Sequence, residues 1–568
     1  MKTCRFLPVI LFLTIFSCQP EKTSEEDLSA AEQLARPSEV QYKWHEQERL
    51  MFIHFAPNTW TEREQDDNSV PLERINPVKL NTDQWCEAAL AWGAKQIVFV
   101  AKHTGGFCMW QTRTTEYGIR NTPYKNGKGD VFRELSESCK KFGLNLGVYI
   151  YPGDRTWGAG IGSGGRTDDP SRQEAYNKVF RTQLTEVLTK YGDMTEVWFD
   201  GSCIIDVSDI LAEHAKNAVI FQGPQATIRW PGTEGGTLFY PAWNSVRCDD
   251  LRTGVSTQIH GNPDGDCWAP LETDTPLYDH HWFWSPRKAK DLKPLNLLME
   301  YYYKSAGYGA VLLLNSTPDT TGLIPEADMQ RYKEFGEEID RRFKTPVDEL
   351  KNKKGKKVTL ELPGPAKINH VITMEDYRQG ERIREYNIEG LVSGEWVELA
   401  DGLSVGRKKI DYFDQVEVSA VRLNITRAAA IPLIRSLSVY YVEDFVPPET
   451  QESMRVWARP VEVAAWNEDM FVNGKVRIEV DLSDHINVPG QYTLSVMPGK
   501  ETDIEIDNPE MYYMGTRALD EYVVVSGNKI NINQTAQITD KSRITVEFSI
   551  VSDPPNSGKV EFRPAVIY

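Results

Sequence analysis

The first candidate for chemistry is an aspartate at the end of an apolar segment. Residues 195–199 have the composition of a buried strand, Asp200 follows them, and Gly201 allows a ligand or a sharp turn close to the backbone. Active sites of barrel enzymes lie at the rim where the strands end. An isolated aspartate in this position could equally cap the next segment. The role of Asp200 therefore depends on what else reaches that rim.

Two histidines also follow apolar, strand-like segments. His54 stands in Phe52-Ile53-His54-Phe55, and His103 follows Ala101-Lys102. Imidazoles can donate hydrogen bonds to sugar hydroxyls, and aromatic rings can stack on the C–H face of a sugar, although each alone could equally be a core residue. Together they predict a sugar site. The aromatic candidates are Trp60, Trp110, Trp198, Trp230, Trp282, Phe283 and Trp284.

A glycosidase needs a second carboxyl group, and two glutamates are candidates. One carboxylate acts as nucleophile or base, and one carboxylic acid protonates the departing oxygen. Glu234 lies in a loop with three glycines, Gly232, Gly235 and Gly236, which allow a mobile position on the rim. Glu272 lies beside a predicted strand. We expect Glu234 to be the acid/base and keep Glu272 as the alternative.

The elements that must position these residues are predicted from hydrophobic periodicity. From residue 40 to 343, strand-like runs alternate with amphipathic helical stretches, which is typical of a parallel sheet with helices outside. About 300 residues suit a (β/α)₈-like TIM barrel, in an α/β fold, better than a smaller doubly wound sheet. The predicted strands are 51–55, 96–101, 145–150, 196–200, 219–222 and 310–315.

The remainder of the chain predicts C-terminal β-sandwich domains. After a basic linker at 351–357, short alternating strands indicate one sandwich over 351–445 and a second all-β domain over 455–568. The first resembles a discoidin-type, galactose-binding sandwich. Such a module either binds glycans or braces the barrel, and fold alone does not decide between these roles.

Six motifs jointly resemble the retaining α-L-fucosidases of glycoside hydrolase family 29. They occur in family order and cover residues 40–340. The motifs are Met51-Phe52-Ile53-His54-Phe55, Ala101-Lys102-His103-Thr104-Gly105-Gly106-Phe107-Cys108-Met109-Trp110, Trp198-Phe199-Asp200-Gly201, Arg229-Trp230-Pro231-Gly232-Thr233-Glu234-Gly235, Trp268-Ala269-Pro270-Leu271-Glu272 and Leu312-Leu313-Leu314-Asn315-Ser316-Thr317-Pro318.

The resemblance assigns roles residue by residue. It implies that Asp200 is the nucleophile and that Glu234 matches the acid/base of the branch favouring α-1,3/4-linked fucose, whereas Glu272 matches the position used in another branch. It implies that His54 and His103 bind the sugar and that Trp198 forms part of its pocket. Two of the aromatic candidates, Trp110 and Trp230, complete the predicted substrate-binding set. The sequence departs from the family at Thr104 and Gly105, where many members have His-Asp. This departure motivates an alternative with the same mechanism and a broader glycone specificity, for example towards β-galactosides.

The N-terminus predicts export. Lys2 and Arg5 precede an apolar run at 6–16, which is too short to span a membrane, and Ser17-Cys18 resembles a bacterial lipobox. We expect a signal peptide at 1–18 with a lipidated Cys18, a flexible tether at 19–39, and anchoring to a bacterial membrane in the periplasm or at the cell surface. Ordinary secretion, with Cys18 incidental, is the alternative.

Composition excludes several other classes. Acidic residues outnumber basic ones by 82 to 64, so nucleic acid is not an expected partner. Neither a metal nor another cofactor is expected: Gly160 to Gly165 fits a nucleotide motif only formally, and Asp279-His280-His281 lacks further ligands at recognised spacing. Six cysteines are expected to be buried free thiols, although Cys248 and Cys267 could pair: Cys86, Cys108, Cys139, Cys203, Cys248 and Cys267.

The predicted function is release of terminal α-L-fucose from a fucosylated oligosaccharide or glycoconjugate through a covalent glycosyl-enzyme. Besides the broader glycosidase, the alternative from another class is a non-catalytic glycan-binding lipoprotein with a degenerate barrel. Retention of two candidate carboxylates favours the enzyme. Oligomeric state is not predicted.

Overall fold

The computed structural model of the protein describes most of the chain. The described residues are 34–201, 203–248, 261–279, 281–448, 455–457, 460–483, 485–486, 490–499, 504–518, 523–534, 543–562 and 565–567. The predicted signal peptide with Cys18, most of the predicted tether and His280 lie outside them. Within these ranges, no helix is both long and apolar enough to cross a membrane.

Seven parallel strands form the sheet of the first domain. They are buried along nearly their whole length, as expected when helices cover the outside and side chains fill the inside. The strands are β1 Arg49–Ile53, β2 Gln96–Lys102, β3 Asn145–Ile150, β4 Glu196–Trp198, β5 Val219–Phe221, β8 Glu272–Thr275 and β9 Val311–Ser316. Their spatial order is β5-β4-β3-β2-β1-β9-β8.

Eight α-helices lie within the described residues and accompany these strands. Local signals set their ends: the side chain of Asp130 accepts a hydrogen bond from the backbone N–H of Arg133 at the start of α4, and Gly143 ends that helix with φ 70°. The helices are α1 Glu39–His45, α2 Asn58–Thr61, α3 Thr82–Ala91, α4 Val131–Phe142, α5 Gln173–Lys190, α6 Ser208–His214, α7 Leu295–Lys304 and α8 Glu326–Phe343.

Two residues close the barrel between β5 and β8. Ile228 pairs in parallel with Phe221 of β5, and Arg229 pairs in parallel with Leu271 just before β8. This dipeptide therefore occupies the position of an eighth strand. The predicted (β/α)₈-like barrel is confirmed. The loop that carries Glu234 follows directly after this two-residue strand position.

A small hairpin corrects the prediction for two cysteines. Strands β6, Ser245–Val246, and β7, Cys267–Trp268, are antiparallel, and a disulfide joins Cys248 to Cys267. The prediction of free thiols is wrong for this pair because the hairpin brings two positions 19 residues apart to a Cα–Cα distance of 5.0 Å. It is confirmed for the buried free cysteines Cys86, Cys108, Cys139 and Cys203.

A six-stranded antiparallel sheet follows the barrel. Two long strands are bent by irregularities in their pairing, so that the sheet encloses its own apolar core. The basic segment predicted as a linker is instead largely strand, since residues 351–354 belong to β10. The strands are β10 Asp348–Lys354, β11 Lys357–Glu375, β12 Ile383–Val392, β13 Glu395–Gly402, β14 Lys409–Ala428 and β15 Leu433–Tyr440.

The barrel and this sandwich are joined by buried polar and apolar contacts. Glu48, immediately before β1, lies 2.7 Å from Arg407 and 2.5 Å from Lys408. Ile372, Ile410 and Tyr440 of the sandwich belong to the same apolar cluster as the barrel helices. Because β1 begins at this contact, the sandwich lies against the amino-terminal end of that strand.

A third, all-β part has a separate core. Its described strands form sheets of five, four and two strands around apolar side chains that include Trp466, Tyr492 and Phe548. The strands are β16 Arg455–Trp457, β17 Val461–Trp466, β18 Lys475–Asp481, β19 Gly490–Pro498, β20 Glu505–Tyr513, β21 Thr516–Arg517, β22 Val523–Ser526, β23 Lys529–Gln534, β24 Ile544–Val551, β25 Gly558–Phe562 and β26 Ala565–Ile567.

Candidate active site

A cavity of about 350 Å³ lies at the carboxyl-terminal ends of the barrel strands. All the strands of the sheet except β9, and the Ile228-Arg229 strand position, are followed by or contain at least one side chain that lines it, as expected for a barrel rim. All of its lining residues precede the sandwich. They are Phe52, His54, Glu64, Gln65, His103, Thr104, Tyr149, Tyr151, Ile161, Gly162, Trp198, Asp200, Gly201, Gln222, Trp230, Glu234, Asp274 and Trp282.

Asp200 follows β4 and forms part of the cavity floor. The hydroxyl of Tyr149 donates a hydrogen bond of 2.9 Å to its Oδ2. Burial raises the pKa of Asp200, the hydrogen bond from Tyr149 lowers it, and the nearby charge of Glu234 raises it further. The carboxylate is thus held in one orientation beneath the space where a sugar would lie.

Two histidines, His54 and His103, also line the cavity, and both rings lie near that of Tyr149. The rings of His54 and His103 are 5.9 Å apart, and burial lowers the pKa of both, that of His103 to about 3. Both rings are therefore neutral at pH 7. The Nδ1 of His54 is 2.8 Å from Oδ1 of Asn315, whose amide nitrogen donates to the carbonyl of Trp282.

This chain of hydrogen bonds fixes the tautomer of His54. Because the amide nitrogen of Asn315 is a donor to Trp282, its oxygen is an acceptor and the Nδ1 of His54 carries the proton. The Nε2 of His54 is then an acceptor. His54 was expected to donate a hydrogen bond to a sugar hydroxyl. The network instead makes its Nε2 an acceptor, to which a hydroxyl can donate.

Glu234 reaches the cavity from the loop after the Ile228-Arg229 bridge. Its side chain is exposed, and its Oε2 accepts a hydrogen bond of 3.0 Å from the indole of Trp282. The backbone N–H of Trp282 donates to Glu64 at 3.1 Å. Burial raises the pKa of Glu64 to about 7, and the charge of Glu234 contributes in the same direction. Trp282 therefore links two carboxyl groups at the rim.

Asp274 is a further carboxyl group in the same cavity. It is 3% exposed, and its Oδ1 accepts a hydrogen bond of 2.6 Å from the indole of Trp230. Burial raises the pKa of Asp274 to about 8, and the charges of Glu234 and Asp200 also raise it. The carboxyl is therefore largely uncharged at neutral pH.

The structure brings six of the predicted site residues together: His54, His103, Trp198, Asp200, Trp230 and Glu234. Trp110 does not join them and is a correction. It is fully buried, and its indole donates to Glu186 on α5 at 2.9 Å. The chain turns back after His103, so that the N–H of Met109 bonds to the carbonyl of Ala101 and the next side chain packs against the helices.

Glu272, the alternative acid/base, also lies outside the cavity lining. It is fully buried, it accepts a hydrogen bond of 2.9 Å from the indole of Trp198, and burial together with the charge of Glu196 holds its pKa well above the usual range. Glu272 and Asp274 are two positions apart on β8, so their side chains lie on the same face of the sheet. Glu272 is the deeper of the two, in the barrel interior.

Sequence reasoning missed several lining residues. Tyr149 and Tyr151 lie at the end of the buried strand β3, much as Asp200 lies after β4. In the sequence, however, a tyrosine within an apolar run looks like a core residue. The glycine-rich segment, expected to be only a flexible loop, contributes Ile161 and Gly162, and the N–H of Gly162 bonds to the hydroxyl of Tyr151 at 2.8 Å. The strand-end position was the usable signal for the tyrosines.

Among the described residues, one group of three potential metal ligands is close enough to share an ion. It consists of Cys248, Asp266 and Cys267, and the disulfide engages both sulfurs. It lies outside the cavity lining.

Comparisons with known proteins agree with this geometry. A family model described as α-L-fucosidase matches residues 29–341. α-L-Fucosidase 1 of Arabidopsis thaliana is 29% identical over 456 residues, covering 72% of this chain and 88% of the plant protein.

Two crystal structures extend the likeness to the fold. A candidate α-L-fucosidase of Bacteroides thetaiotaomicron VPI-5482 is 35% identical with a TM-score of 0.68, covering 72% of this chain and all of that one. A glycoside hydrolase 29 family member from an unknown rumen bacterium is 26% identical with a TM-score of 0.66, covering 94% of this chain and all of that one. The chain belongs to the α-L-fucosidase family, glycoside hydrolase family 29.

Proposed function

We propose that the protein releases terminal α-L-fucose with retention of anomeric configuration, through a covalent intermediate on Asp200. The observation that carries the proposal is that Asp200 and Glu234 line one cavity, together with two neutral histidines and three tryptophans. Paired carboxyl groups are what a retaining glycosidase requires. The aromatic walls and the histidines supply stacking faces and hydrogen-bonding groups for a sugar ring.

In the first step, the carboxylate of Asp200 attacks the anomeric carbon while the glycosidic C–O bond breaks. Protonated Glu234 gives its proton to the leaving oxygen, so an alcohol departs and a fucosyl ester remains. In the second step, the carboxylate of Glu234 takes a proton from water as that water attacks the anomeric carbon. The ester bond breaks, which restores the carboxylate of Asp200 and the acid form of Glu234.

A preference for α-1,3- or α-1,4-linked fucose is part of the proposal. It rests on the position of Glu234 in the loop after Arg229-Trp230, which resembles the branch with that preference. Gly232 and Glu234 of this loop are exposed, so the rim is open beside Glu234, where the remainder of a branched glycan would lie.

Kinetics with aryl α-L-fucoside and aryl β-galactoside test the glycone. We expect the fucoside to be turned over and the galactoside to react much more slowly. Comparable rates would favour the broader glycosidase, and inactivity on both would favour a glycan-binding protein. Proton NMR of the first product tests the stereochemistry, since retention releases α-L-fucose before it equilibrates. Fucosyl oligosaccharides that differ only in linkage test the preference.

We also propose that the protein is exported and anchored by lipid on Cys18. The disulfide between Cys248 and Cys267 supports an oxidising compartment. Metabolic labelling with an alkyne fatty acid should mark the wild-type chain and not Cys18→Ala. Equal labelling of both, or of neither, would contradict the anchor.

A further inference from the structure

We propose that Asp274 is a positioning residue that holds the Glu234 loop over the sugar cavity. The inference rests on the proposed role of Glu234 as acid/base. Asp274 lines the cavity, and the role proposed for it is exerted through contacts at both ends of that loop.

The first contact fixes the start of the loop. The indole of Trp230 donates a hydrogen bond of 2.6 Å to Oδ1 of Asp274. Trp230 directly follows the two-residue bridge that closes the barrel, so this bond sets the direction in which the chain leaves the rim. The acceptor is 3% exposed, and solvent therefore competes little for the indole N–H.

The second contact fixes the end of the loop. The N–H of Gly236 donates to the main-chain carbonyl of Asp274 at 3.1 Å. Gly236 has φ 70°, and a Cβ at this position would lie 2.8 Å from Thr275 and 3.1 Å from Tyr301. The loop therefore returns onto β8 at a place that admits only glycine without rearrangement.

One residue thus anchors both sides of Glu234. Trp230 and Gly236 bracket the loop, and each bonds to a different group of Asp274. The anchor is itself rigid, because β8 pairs in parallel with β9 and Asp274 lies opposite Leu313. Glu234 is exposed and its side chain bonds to Trp282 across the rim, so its placement depends on how the loop is held.

The protonation state of Asp274 suits this role. Burial raises the pKa of Asp274 to about 8, so at neutral pH it adds little negative charge beside Asp200 and Glu234. An uncharged carboxyl still accepts from the indole of Trp230. It can therefore hold the loop without repelling the two carboxylates that carry the reaction.

The test is a double-mutant cycle between residues 274 and 234. Asp274→Ala should slow fucosides with poor leaving groups at least about tenfold, as expected when general acid catalysis is impaired, and activated aryl fucosides much less. In a Glu234→Ala background the same substitution should cost less than about twofold, because the group it positions is gone. Asp274→Asn keeps an oxygen acceptor for the indole and should restore most of the lost rate.

Asp291→Asn is the matched control. Its carboxylate pairs with Lys288 on the surface at 3.4 Å, so the substitution should leave both substrate classes unaffected. Circular dichroism and gel filtration check folding. If Asp274→Ala does not fold, Trp230→Phe removes the same hydrogen bond from the other side and should give the same leaving-group selectivity, again only when Glu234 is present.

These measurements distinguish a failure of the proposed function from a failure of the positioning role of Asp274. If wild-type protein lacks α-L-fucosidase activity, or Glu234→Ala shows no leaving-group selectivity, the proposed function fails. If Glu234→Ala behaves as an acid/base variant but the effects of Asp274→Ala and Glu234→Ala multiply independently, the positioning role is wrong. Rescue of Asp274→Ala by azide would instead make Asp274 itself an acid/base.

Discussion

At the scale of single residues, the nucleophile gives the sharpest prediction. Asp200→Ala should reduce turnover of aryl α-L-fucoside by on the order of 10⁴-fold, because the covalent step loses its attacking group. The fold should persist, since Asp200 has one described side-chain partner, Tyr149. Turnover and thermal unfolding measured on one sample check both statements. Near-normal turnover in a folded variant would contradict the assignment.

Tyr149 makes a prediction about pH. Asp200 must be ionised to attack, so activity falls on the acid side as pH drops through its pKa. The hydroxyl of Tyr149 stabilises the ionised form and lowers this pKa, against burial and the charge of Glu234, which raise it. Tyr149→Phe should therefore move the acid limb of kcat/KM to higher pH. A profile that is unchanged or shifted to lower pH would contradict the prediction.

Glu234 is tested by its dependence on the leaving group. Glu234→Ala should slow substrates with poor leaving groups far more than activated aryl fucosides, because an activated phenolate departs with little protonation. Azide should partly restore the aryl substrate by attacking the fucosyl-enzyme without base assistance. Equal slowing of both classes without azide rescue, together with selective slowing in Glu272→Ala, would transfer the role to Glu272.

A structure with fucose bound makes a geometric prediction. The carboxyl groups of Asp200 and Glu234 should lie about 5–5.5 Å apart in the closed complex, as retaining enzymes require. A crystal structure of a slow variant with bound sugar measures this distance. Glu272 at that separation, with Glu234 turned to solvent, would contradict the assignment.

Polar residues that end apolar strands were the basis for predicting Asp200, His54 and His103, and all three line one cavity. Trp110 was predicted as a stacking aromatic, and the sequence could not show that the chain turns back into the core after His103. The strand-end rule also passed over Asp274, which lies within a strand and shares a face with Glu272, so that only the depth of each side chain distinguishes them.

At the scale of elements, the barrel could be predicted but its strands could not be counted. Long apolar runs such as β2 and β9 carry a clear signal. The eighth strand position is only Ile228-Arg229, and two residues have no periodicity to detect. The antiparallel sheet was predicted from the alternation of apolar and polar residues along its strands. Strand β10 nevertheless resembled a linker because its exposed second half is rich in lysine, which is common on exposed edge strands.

The disulfide makes a prediction at this scale. Replacing Cys248 and Cys267 together by serine should lower the free energy of unfolding by about 3 kcal/mol, the value expected for a closed loop of this length. Turnover of aryl fucoside should change little, because the hairpin lies outside the cavity lining. Denaturant unfolding and kinetics of the double variant measure both. Unchanged stability would indicate that the bridge does not form.

At the scale of the whole molecule, stability depends on charges buried between two domains. Burial alone would raise the pKa of Glu48, but Lys408 and Arg407 outweigh it and hold the pKa well below the usual range. A depressed pKa in the folded state contributes stability above the unfolded pKa of about 4.3. That contribution is lost as pH falls towards the folded pKa.

Arg407→Ala should therefore destabilise the protein by roughly 1.5–3 kcal/mol at neutral pH, because it removes one of the two cations that pair with the buried Glu48. Its stability should also fall less steeply on acidification than that of the wild type. Thermal unfolding from pH 3 to pH 7 measures both effects. A variant as stable as wild type at pH 7 would show that this contact does not hold the domains together.

The strand β1 connects two contacts of different kinds. Glu48, which binds the sandwich, directly precedes it, and His54, which lines the cavity, directly follows it. The strand is therefore a rigid spacer that fixes how far the attachment of the sandwich lies from the cavity. Substitutions in the rim loops can change the shape of the cavity and leave the contact between barrel and sandwich intact.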